Sequence, residues 1–272
     1  MDKRNDAVVW LGHSSYFMVL GGYRILIDPV FSAYASPVPF ANRAFARTDP
    51  YTAVDMPDID YLLISHDHWD HLDYPTVAAL KPKIKHVICG LGVGAHFEAW
   101  GFEDKIVHEA DWFTELKMGD DFVVRVLPAR HYSGRLLPNK TLWASYALLT
   151  PNRRVFFGGD SGYGPHFKEI GKVFAGFDLA IMENGQYNAA WPNIHMMPEE
   201  VAEAAEALHA KALLPGHAGK FILSNHAWDD PFKRIVAASQ GKHYRLLTPM
   251  IGEPVKLDDE RQVFTHWWEG VR

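Results

Sequence analysis

Three histidines and three aspartates lie within eight consecutive residues of this 272-residue chain: His66, Asp67, His68, Asp70, His71 and Asp73. Imidazoles and carboxylates are costly to bury unless they find partners, so a cluster of this density needs an explanation. His66 and His68 alternate in an extended loop and point the same way, whereas Asp70 and His71 lie beyond the turn and can face a second ion. Neutral imidazoles and carboxylates bind zinc, and they bind iron or manganese at higher coordination number. The spacing predicts a metal site, and the alternative is a polar, solvated loop.

The elements on either side place this cluster between a strand and a helix. The apolar run 61–64 has the length and composition of a strand, and Pro75 suits the first turn of a helix. Two aspartates that each stand at a strand or loop edge, Asp28 and Asp73, are candidates to orient a ligating imidazole. For Asp73 a helix cap is an equal alternative. His13 could contact the same ligands or serve as a structural histidine.

Three polar residues farther along the chain extend the candidate site. His131, Asp160 and His217 each follow an apolar run that has strand composition. Glycines next to Asp160 and His217 let the backbone approach a crowded centre. The first loop alone supplies too few ligands for two ions, so these strand ends are candidates for the remainder. Polar groups at strand ends are also common for structural reasons.

A pair of ions would define the chemistry. Two ions about 3.5 to 4 Å apart can lower the pKa of a bridging water enough to leave hydroxide at neutral pH, and they can polarise the oxygen that is attacked. This combination predicts hydrolysis without a serine or cysteine nucleophile. The single cysteine, Cys89, lies in the apolar run 87–89, where a small buried side chain is expected rather than a ligand.

The order of the apolar runs predicts an α/β fold. Short strands come first, beginning with 8–10, 16–20 and 23–27, and strands then alternate with helices, of which 198–209 is the clearest. This order roughly repeats, which favours a four-layer αββα sandwich with two sheets face to face and helices outside. We expect one domain over residues 1–272. The segment 30–57 has no clear period and many aromatic residues, which indicates a packed flap.

Bulk composition excludes several classes of protein. With 48% hydrophobic and 22% charged residues, the chain has the composition of an ordinary globular protein rather than a disordered one. A net charge of −6 gives no electrostatic reason to expect nucleic-acid binding. The chain begins with polar residues and has no apolar stretch long enough to span a membrane, so we expect a cytoplasmic protein without integral membrane association.

The pattern H-x-H-x-D-H-L-D after an apolar strand resembles the metallo-β-lactamase superfamily, because all four ligand positions of that motif are filled. The resemblance implies two divalent ions, with zinc expected and iron or manganese as alternatives. It also implies the ligands: His66, His68 and His131 for one ion, Asp70, His71 and His217 for the other, and Asp160 as a bridge.

Further segments resemble the N-acyl-phosphatidylethanolamine-hydrolysing phospholipase D family along most of the chain. They are residues 10–14, 28–32, 35–37, 64–74, 143–146, 159–163 and 167–171, and His195 ahead of 198–200. This resemblance implies a zinc phosphodiesterase that acts on a glycerophospholipid-like or other phosphodiester substrate. Asp70 and His195 are the expected catalytic residues, with His195 donating to the leaving oxygen or to a phosphate oxygen. The alternative for His195 is a loop histidine packed on Trp191.

Two other functions stay open. The chain resembles sugar-phosphate lactonases more distantly, so a lactonase or carboxylic-ester hydrolase on the same centre is the second hypothesis. The third is a non-catalytic protein that metal only stabilises and whose flap binds a partner. The expected partner is a small-molecule or lipid-like substrate, and no oligomeric state is predicted. Trp69, Tyr132, Tyr187 and Trp191 are candidates for an apolar wall beside the metals.

Overall fold

Two mixed β-sheets contain most of the apolar runs of the chain. The structure is a computed structural model that describes residues 2–38, 40–48, 50–135 and 137–271. Within these ranges each sheet has seven strands, numbered here in chain order. The first sheet contains β1 (Ala7–Trp10), β2 (Tyr16–Leu20), β3 (Tyr23–Ile27), β4 (Ile59–Ile64), β5 (Ile84–Gly90), β6 (Val107–Ala110) and β14 (Pro254–Lys256). The second contains β7 (Glu115–Lys117), β8 (Val123–Leu127), β9 (Ser145–Leu149), β10 (Arg154–Phe157), β11 (Leu179–Glu183), β12 (Ala212–Gly216) and β13 (Arg245–Leu246).

Helices connect the later strands of each sheet. They are α1 (Tyr74–Leu80), α2 (Gly94–Ala99), α3 (His166–Phe174), α4 (Pro198–Ala207) and α5 (Asp230–Ala238), with short 3₁₀ turns at Lys81–Lys83, Asp104–Ile106 and Trp267–Gly270. The sequence predicts that the fourth helix continues to His209, but it ends at Ala207, and His209 has a left-handed φ of 52° that a helix cannot accommodate. None of the described helices has both the length and the hydrophobicity that crossing a bilayer requires.

The two sheets repeat one topology. The spatial orders are β14-β1-β2-β3-β4-β5-β6 and β13-β12-β11-β10-β9-β8-β7. Pairing is parallel from β3 to β6 and from β10 to β13, and it is antiparallel elsewhere. In the second sheet Phe157 pairs with Ile181, and Ile181 pairs with Leu214. Asp160 and His217 therefore each lie three residues beyond the same row of the sheet.

Three apolar layers hold these elements together. Side chains such as Met18, Leu63 and Leu148 are fully buried between the sheets. Helices α1 and α2 cover the outer face of the first sheet, with Val77, Leu80 and Phe97 in the contact. Helices α3, α4 and α5 cover the outer face of the second, with Phe167, Val201 and Ile235 in the contact. Each such side chain contributes on the order of 1.5 to 3 kcal/mol by leaving water. The predicted four-layer αββα fold is confirmed.

Two edge strands and the long segment depart from or refine the prediction. Strand β7 is three residues long with two charged side chains, and β14 pairs with β1 through Val8 and Val255. Neither has a strand-length apolar run, so neither was predicted. Within the described part of 30–57 there is no regular helix or strand. The predicted packed flap holds only in part: Val30 and Ala35 lie against Phe221, whereas Phe40 and Val54 are largely exposed to solvent.

Candidate metal centre

The loop after β4 brings three imidazoles to one point. His66 Nε2 lies 2.9 Å from His68 Nδ1, and His131 Nε2 lies 3.2 Å from the same His68 nitrogen. His131 reaches this point from the loop that follows β8 of the second sheet. Burial lowers the pKa of His66 and of His131 well below the ordinary value, so both rings are neutral. Neutral imidazole is the form that binds a metal ion.

A second group forms beside the first. His217 Nε2 lies 3.2 Å from Asp70 Oδ2 and 3.3 Å from His71 Nε2. The His71 nitrogen is 3.4 Å from the same Asp70 oxygen. Asp70 and His71 follow β4 of the first sheet, whereas His217 follows β12 of the second. The group is therefore assembled across the two sheets.

Asp160 lies between the two groups. Its Oδ2 is 3.1 Å from His71 Nε2 and 3.2 Å from His217 Nε2, and it is 3.7 Å from His131 Nε2. Its Oδ1 is buried and has no hydrogen-bond partner among the described residues. Burial opposes ionisation here, but His217 and His71 hold the pKa of Asp160 well below its usual range. The family resemblance implies a bridging carboxylate at this residue, and the structure brings it within reach of both groups.

The imidazole nitrogens and carboxylate oxygens of the two groups are suited to binding metal cations. Ligand atoms at about 2.0 to 2.1 Å from a tetrahedral zinc lie about 3.3 Å from one another. Five of the ligand-atom separations within the two groups run from 2.9 to 3.4 Å. His71 Nε2 faces one nitrogen and two carboxylate oxygens, and a single N–H cannot donate to all three. An ion at each group would satisfy these atoms together with the unpartnered Asp160 Oδ1.

Buried residues around the two groups hold their ligands. Asp28 Oδ2 lies 2.8 Å from His71 Nδ1, and Ser65 donates to Asp28 through both its backbone N–H and its hydroxyl. Asp28 thus contacts an imidazole as the sequence suggests. Asp73 contacts none of the ligands among the described residues; it accepts from Thr76 N at 3.3 Å and from Ser32 Oγ at 2.7 Å, which is the alternative role of a helix cap.

His13 connects two members of the second group, Asp70 and His217. Its Nε2 lies 2.8 Å from Asp70 Oδ2. Its backbone oxygen accepts from His217 N at 2.9 Å, and its backbone N–H donates to Ala218 O at 3.2 Å. The residue is fully buried and has a left-handed φ of 50°.

The backbone at the site is strained. His217 and Asp28 also have left-handed φ values, of 58° and 41°. Such conformations cost non-glycine residues on the order of 1 to 3 kcal/mol and concentrate at functional sites. Gly159 precedes Asp160 with φ +57°, and a Cβ there would lie 2.9 Å from Ala144 O. The close approach that the sequence anticipates from these glycines is present at this position.

His195 lies beside both groups. Its Nδ1 is 2.7 Å from Glu183 Oε2, and its ring centroid is 5.2 Å from those of His131 and His217. No ring contact between His195 and Trp191 is found among the described residues. Burial opposes the charged ring, but the Glu183 carboxylate outweighs it and raises the pKa of His195 to about 9. Cations at the neighbouring ligands would lower this pKa again.

Glu183 was missed by the sequence analysis. It ends β11, so it has the same signal that singled out Asp160: a carboxylate at the end of an apolar strand. A search of all strand ends would have found it.

A cavity of about 370 Å³ opens onto the two groups. Its floor includes His68, Asp70, His131, Asp160 and His195, and its walls include Trp69, Tyr132, Trp191, Ile194 and Leu223. The prediction for Tyr187 was wrong, because this side chain is buried elsewhere, donates to Asp230 and stacks on His226. Among the described residues, no lysine or arginine lines the cavity.

Known proteins are similar to this chain in sequence or in fold. An uncharacterised protein of Mycobacterium tuberculosis is 40% identical over 273 aligned residues, which cover 98% of this chain and 73% of that protein. The N-acyl-phosphatidylethanolamine-hydrolysing phospholipase D 1 of Caenorhabditis elegans is 33% identical over 225 residues, which cover 78% of this chain and 63% of that protein. A metallo hydrolase of the archaeon Ignicoccus hospitalis shares the fold alone, with a TM-score of 0.70 and 18% identity over 92% of this chain and 97% of that one.

The family comparison covers the centre itself. A family profile described as a β-lactamase superfamily domain matches residues 23–218, a range that includes the loop after β4, His131, Asp160 and His217. Together with the fold and the cluster of histidines and aspartates, this match gives the assignment. The chain belongs to the metallo-β-lactamase superfamily of metal-dependent hydrolases.

Proposed function

We propose that this protein hydrolyses phosphodiesters at a pair of divalent cations, with a glycerophospholipid-like molecule as the substrate class. The observation that carries the proposal is the position of six histidine and aspartate side chains in two groups around a seventh, Asp160. The 33% identity to the phospholipase D 1 of Caenorhabditis elegans supports the choice of a phosphodiester.

The proposed ligands follow the two groups. The first cation is assigned to His66, His68 and His131, the second to Asp70, His71 and His217, and Asp160 is assigned to both. Zinc is the metal that this set of imidazoles and carboxylates favours, with iron and manganese as alternatives. Bound there, the cations would polarise the scissile group and lower the pKa of a coordinated water.

Two side chains are proposed to act on the substrate. His195 lines the cavity and has its Nδ1 committed to Glu183, so its Nε2 is the atom that can give a proton to the leaving oxygen or bond a phosphate oxygen. Asp70 also lines the cavity, and its carboxylate can accept a proton from the attacking water.

The charge of the cavity favours a diester over a monoester. A phosphate monoester carries up to two negative charges near neutral pH, whereas a diester carries one. With no lysine or arginine on the walls formed by the described residues, only cations and His195 would balance that charge. The aromatic side chains of Trp69, Tyr132 and Trp191 offer contact area to an apolar substituent.

A lactone or carboxylic ester is the second candidate class. The same observation favours it, because an uncharged ester needs no cationic side chain on the walls. The ligands and the cavity suit either class of substrate. A substrate panel is therefore needed to distinguish a phosphodiesterase from a lactonase or esterase.

The test combines metal analysis with a substrate panel. We expect about two ions per chain by elemental analysis, cleavage of bis-p-nitrophenyl phosphate and an N-acyl glycerophospholipid, and loss of both activities with a chelator. Asp160→Asn is expected to lower the rate at least about 10²-fold. Turnover of lactones or esters with no phosphodiester cleavage would favour the second candidate. One ion or none, with every substrate unreactive, would contradict both.

A further inference from the structure

Each carboxylate oxygen of the buried Glu183 bonds a residue of the loop that follows β11, and Oε2 also lies 3.6 Å from Nδ1 of the proposed ligand His217. Oε2 lies 2.7 Å from His195 Nδ1, and Oε1 accepts from the backbone N–H of Met196 at 2.8 Å. Ser161 N, next to Asp160 in the chain, approaches Oε1 at 3.4 Å. The residue is 3% exposed, so these bonds form away from water. Charge-assisted hydrogen bonds of this kind are stronger than neutral ones.

The loop that carries His195 needs such bonds to hold the side chain in place. Residues 184–197 connect β11 to α4 and contain no regular strand or helix. A segment of this length does not by itself fix a side chain against a cavity. Glu183 is the last residue of β11, and it forms hydrogen bonds with two consecutive residues near the far end of the loop, His195 and Met196. A rigid strand thereby sets the position of a loop histidine.

The direction of the His195 ring follows from the same contact. With Nδ1–H donating to the carboxylate, Nε2 is the nitrogen left to face the cavity, which His195 lines. The ring is stacked on that of His217 at 5.2 Å with 20° between planes, which limits its tilt. A carboxylate that holds one imidazole nitrogen so that the other can exchange a proton is an arrangement used by unrelated hydrolases.

We propose that Glu183 is a positioning residue that fixes the orientation and the Nδ1-protonated form of His195 for the reaction in the cavity. This inference rests on the proposed function and adds a residue to it. Glu183 acts through His195 and does not itself touch the substrate.

The test uses Glu183→Gln and His195→Ala in the full chain, singly and together. An amide has one acceptor oxygen and cannot serve both His195 Nδ1 and Met196 N, so Glu183→Gln is expected to lower kcat on the order of 10²-fold on whichever panel substrate is turned over. His195→Ala is expected to cost a similar factor. If Glu183 acts through His195, the double variant loses little more than either single variant. The matched control, Glu199→Gln, changes an exposed glutamate paired with Arg234 and should leave kcat unchanged.

A second readout separates this inference from the proposed function. In metal-free protein, the pKa of His195 is about 9, so the ring is neutral only at a higher pH. Recorded there, the ¹⁵N chemical shifts of the His195 ring should show the proton on Nδ1, and Glu183→Gln should move the ring toward the Nε2-protonated form. This measurement stands even if no phosphodiester is cleaved. Independent, multiplicative losses in the double variant, or an unchanged ring form in Glu183→Gln, would overturn the inference. Should Glu183→Gln fold poorly, Glu183→Asp keeps both acceptor oxygens at shorter reach and should give an intermediate loss.

Discussion

Asp28 shows how a single buried side chain can govern the centre without belonging to it. It accepts from His71 Nδ1 and from Ser65, and its φ of 41° is a conformation that asparagine tolerates well. Asp28→Asn therefore keeps the backbone but replaces a charged acceptor at His71 with a neutral one. Outer contacts of this kind typically contribute 10- to 100-fold to metal affinity.

We expect Asp28→Asn to weaken binding of the ion at His71 by about 10- to 100-fold. Competition with a chromophoric chelator would measure this directly. The ion assigned to His66, His68 and His131 should bind as before. If the variant binds both ions with the affinities of the wild-type protein, Asp28 is only a structural carboxylate.

The ligands were the most predictable part of the site. His66, His68, Asp70 and His71 lie in one short loop, and His131, Asp160 and His217 each end an apolar strand, so type and spacing singled them out. Glu183 carries the same signal but was not searched for. Tyr187 could not be placed, because its partner Asp230 is remote in sequence.

At the scale of elements, α1 begins immediately after the metal loop. Asp73 is its N-cap and accepts from Thr76 N, from Thr76 Oγ1 and from Ser32 Oγ. Asp73→Ala is expected to lower the free energy of unfolding by about 1 kcal/mol, because a first-turn N–H loses its acceptor. Urea unfolding would measure the change. Metal affinity should stay constant, which makes this variant the control for Asp28→Asn; a fall in affinity would assign Asp73 the orienting role instead.

Asp60 ties β4 to its surroundings and makes stability depend on pH. It accepts from Lys3 Nζ, Lys85 Nζ and Arg24 N. Burial opposes its ionisation, but these three donors prevail and lower the pKa of Asp60 to about 2. A lowered carboxylate pKa adds stability above the unfolded value of about 3.9, and that stability is lost as pH falls toward 2. Because both lysines are partly exposed, the contribution is at most about 1 kcal/mol.

The expected result is a smaller acid sensitivity in Asp60→Asn. Urea midpoints at pH 7 and pH 3 would be compared, and the wild-type protein should lose more between them than the variant. Asp58→Asn changes an exposed neighbour and should behave as wild type. Parallel losses in all three proteins would place the acid sensitivity elsewhere.

Most strands were predictable because their apolar runs are long and fully buried. Strand β4 is buried at every position, for example. Strands β7 and β14 were not, because each is short, lies at a sheet edge and is defined by pairing with a partner rather than by its own side chains. The pairing of β14 with β1 joins the two ends of the chain, and no local pattern indicates such a contact.

At the scale of the whole molecule, the proposed ligands come from both sheets. The loop after β4 belongs to the first sheet, and His131, Asp160 and His217 belong to the second, so bound ions would connect the two layers. Ions that bind only the folded state stabilise it by mass action, by about 2.7 kcal/mol at 100 times the dissociation constant. Chelation is therefore expected to lower the melting temperature by roughly 5 to 10 °C. Thermal unfolding before and after chelation, with zinc added back, would measure this. An unchanged melting temperature would argue against ions that join the sheets.

The contacts of His13 with Asp70 and His217 limit how far the N-terminus of the chain can be shortened. The segment matched by the family profile starts at residue 23, so a fragment cut to 23–218 would retain every proposed ligand and still lack His13. In that fragment Asp70 would lose its contact with the His13 imidazole, and the backbone N–H of His217 would lose its acceptor. Minimal boundaries drawn from the homologous core would thus yield a protein with a complete set of ligands and a poorly ordered second ion site.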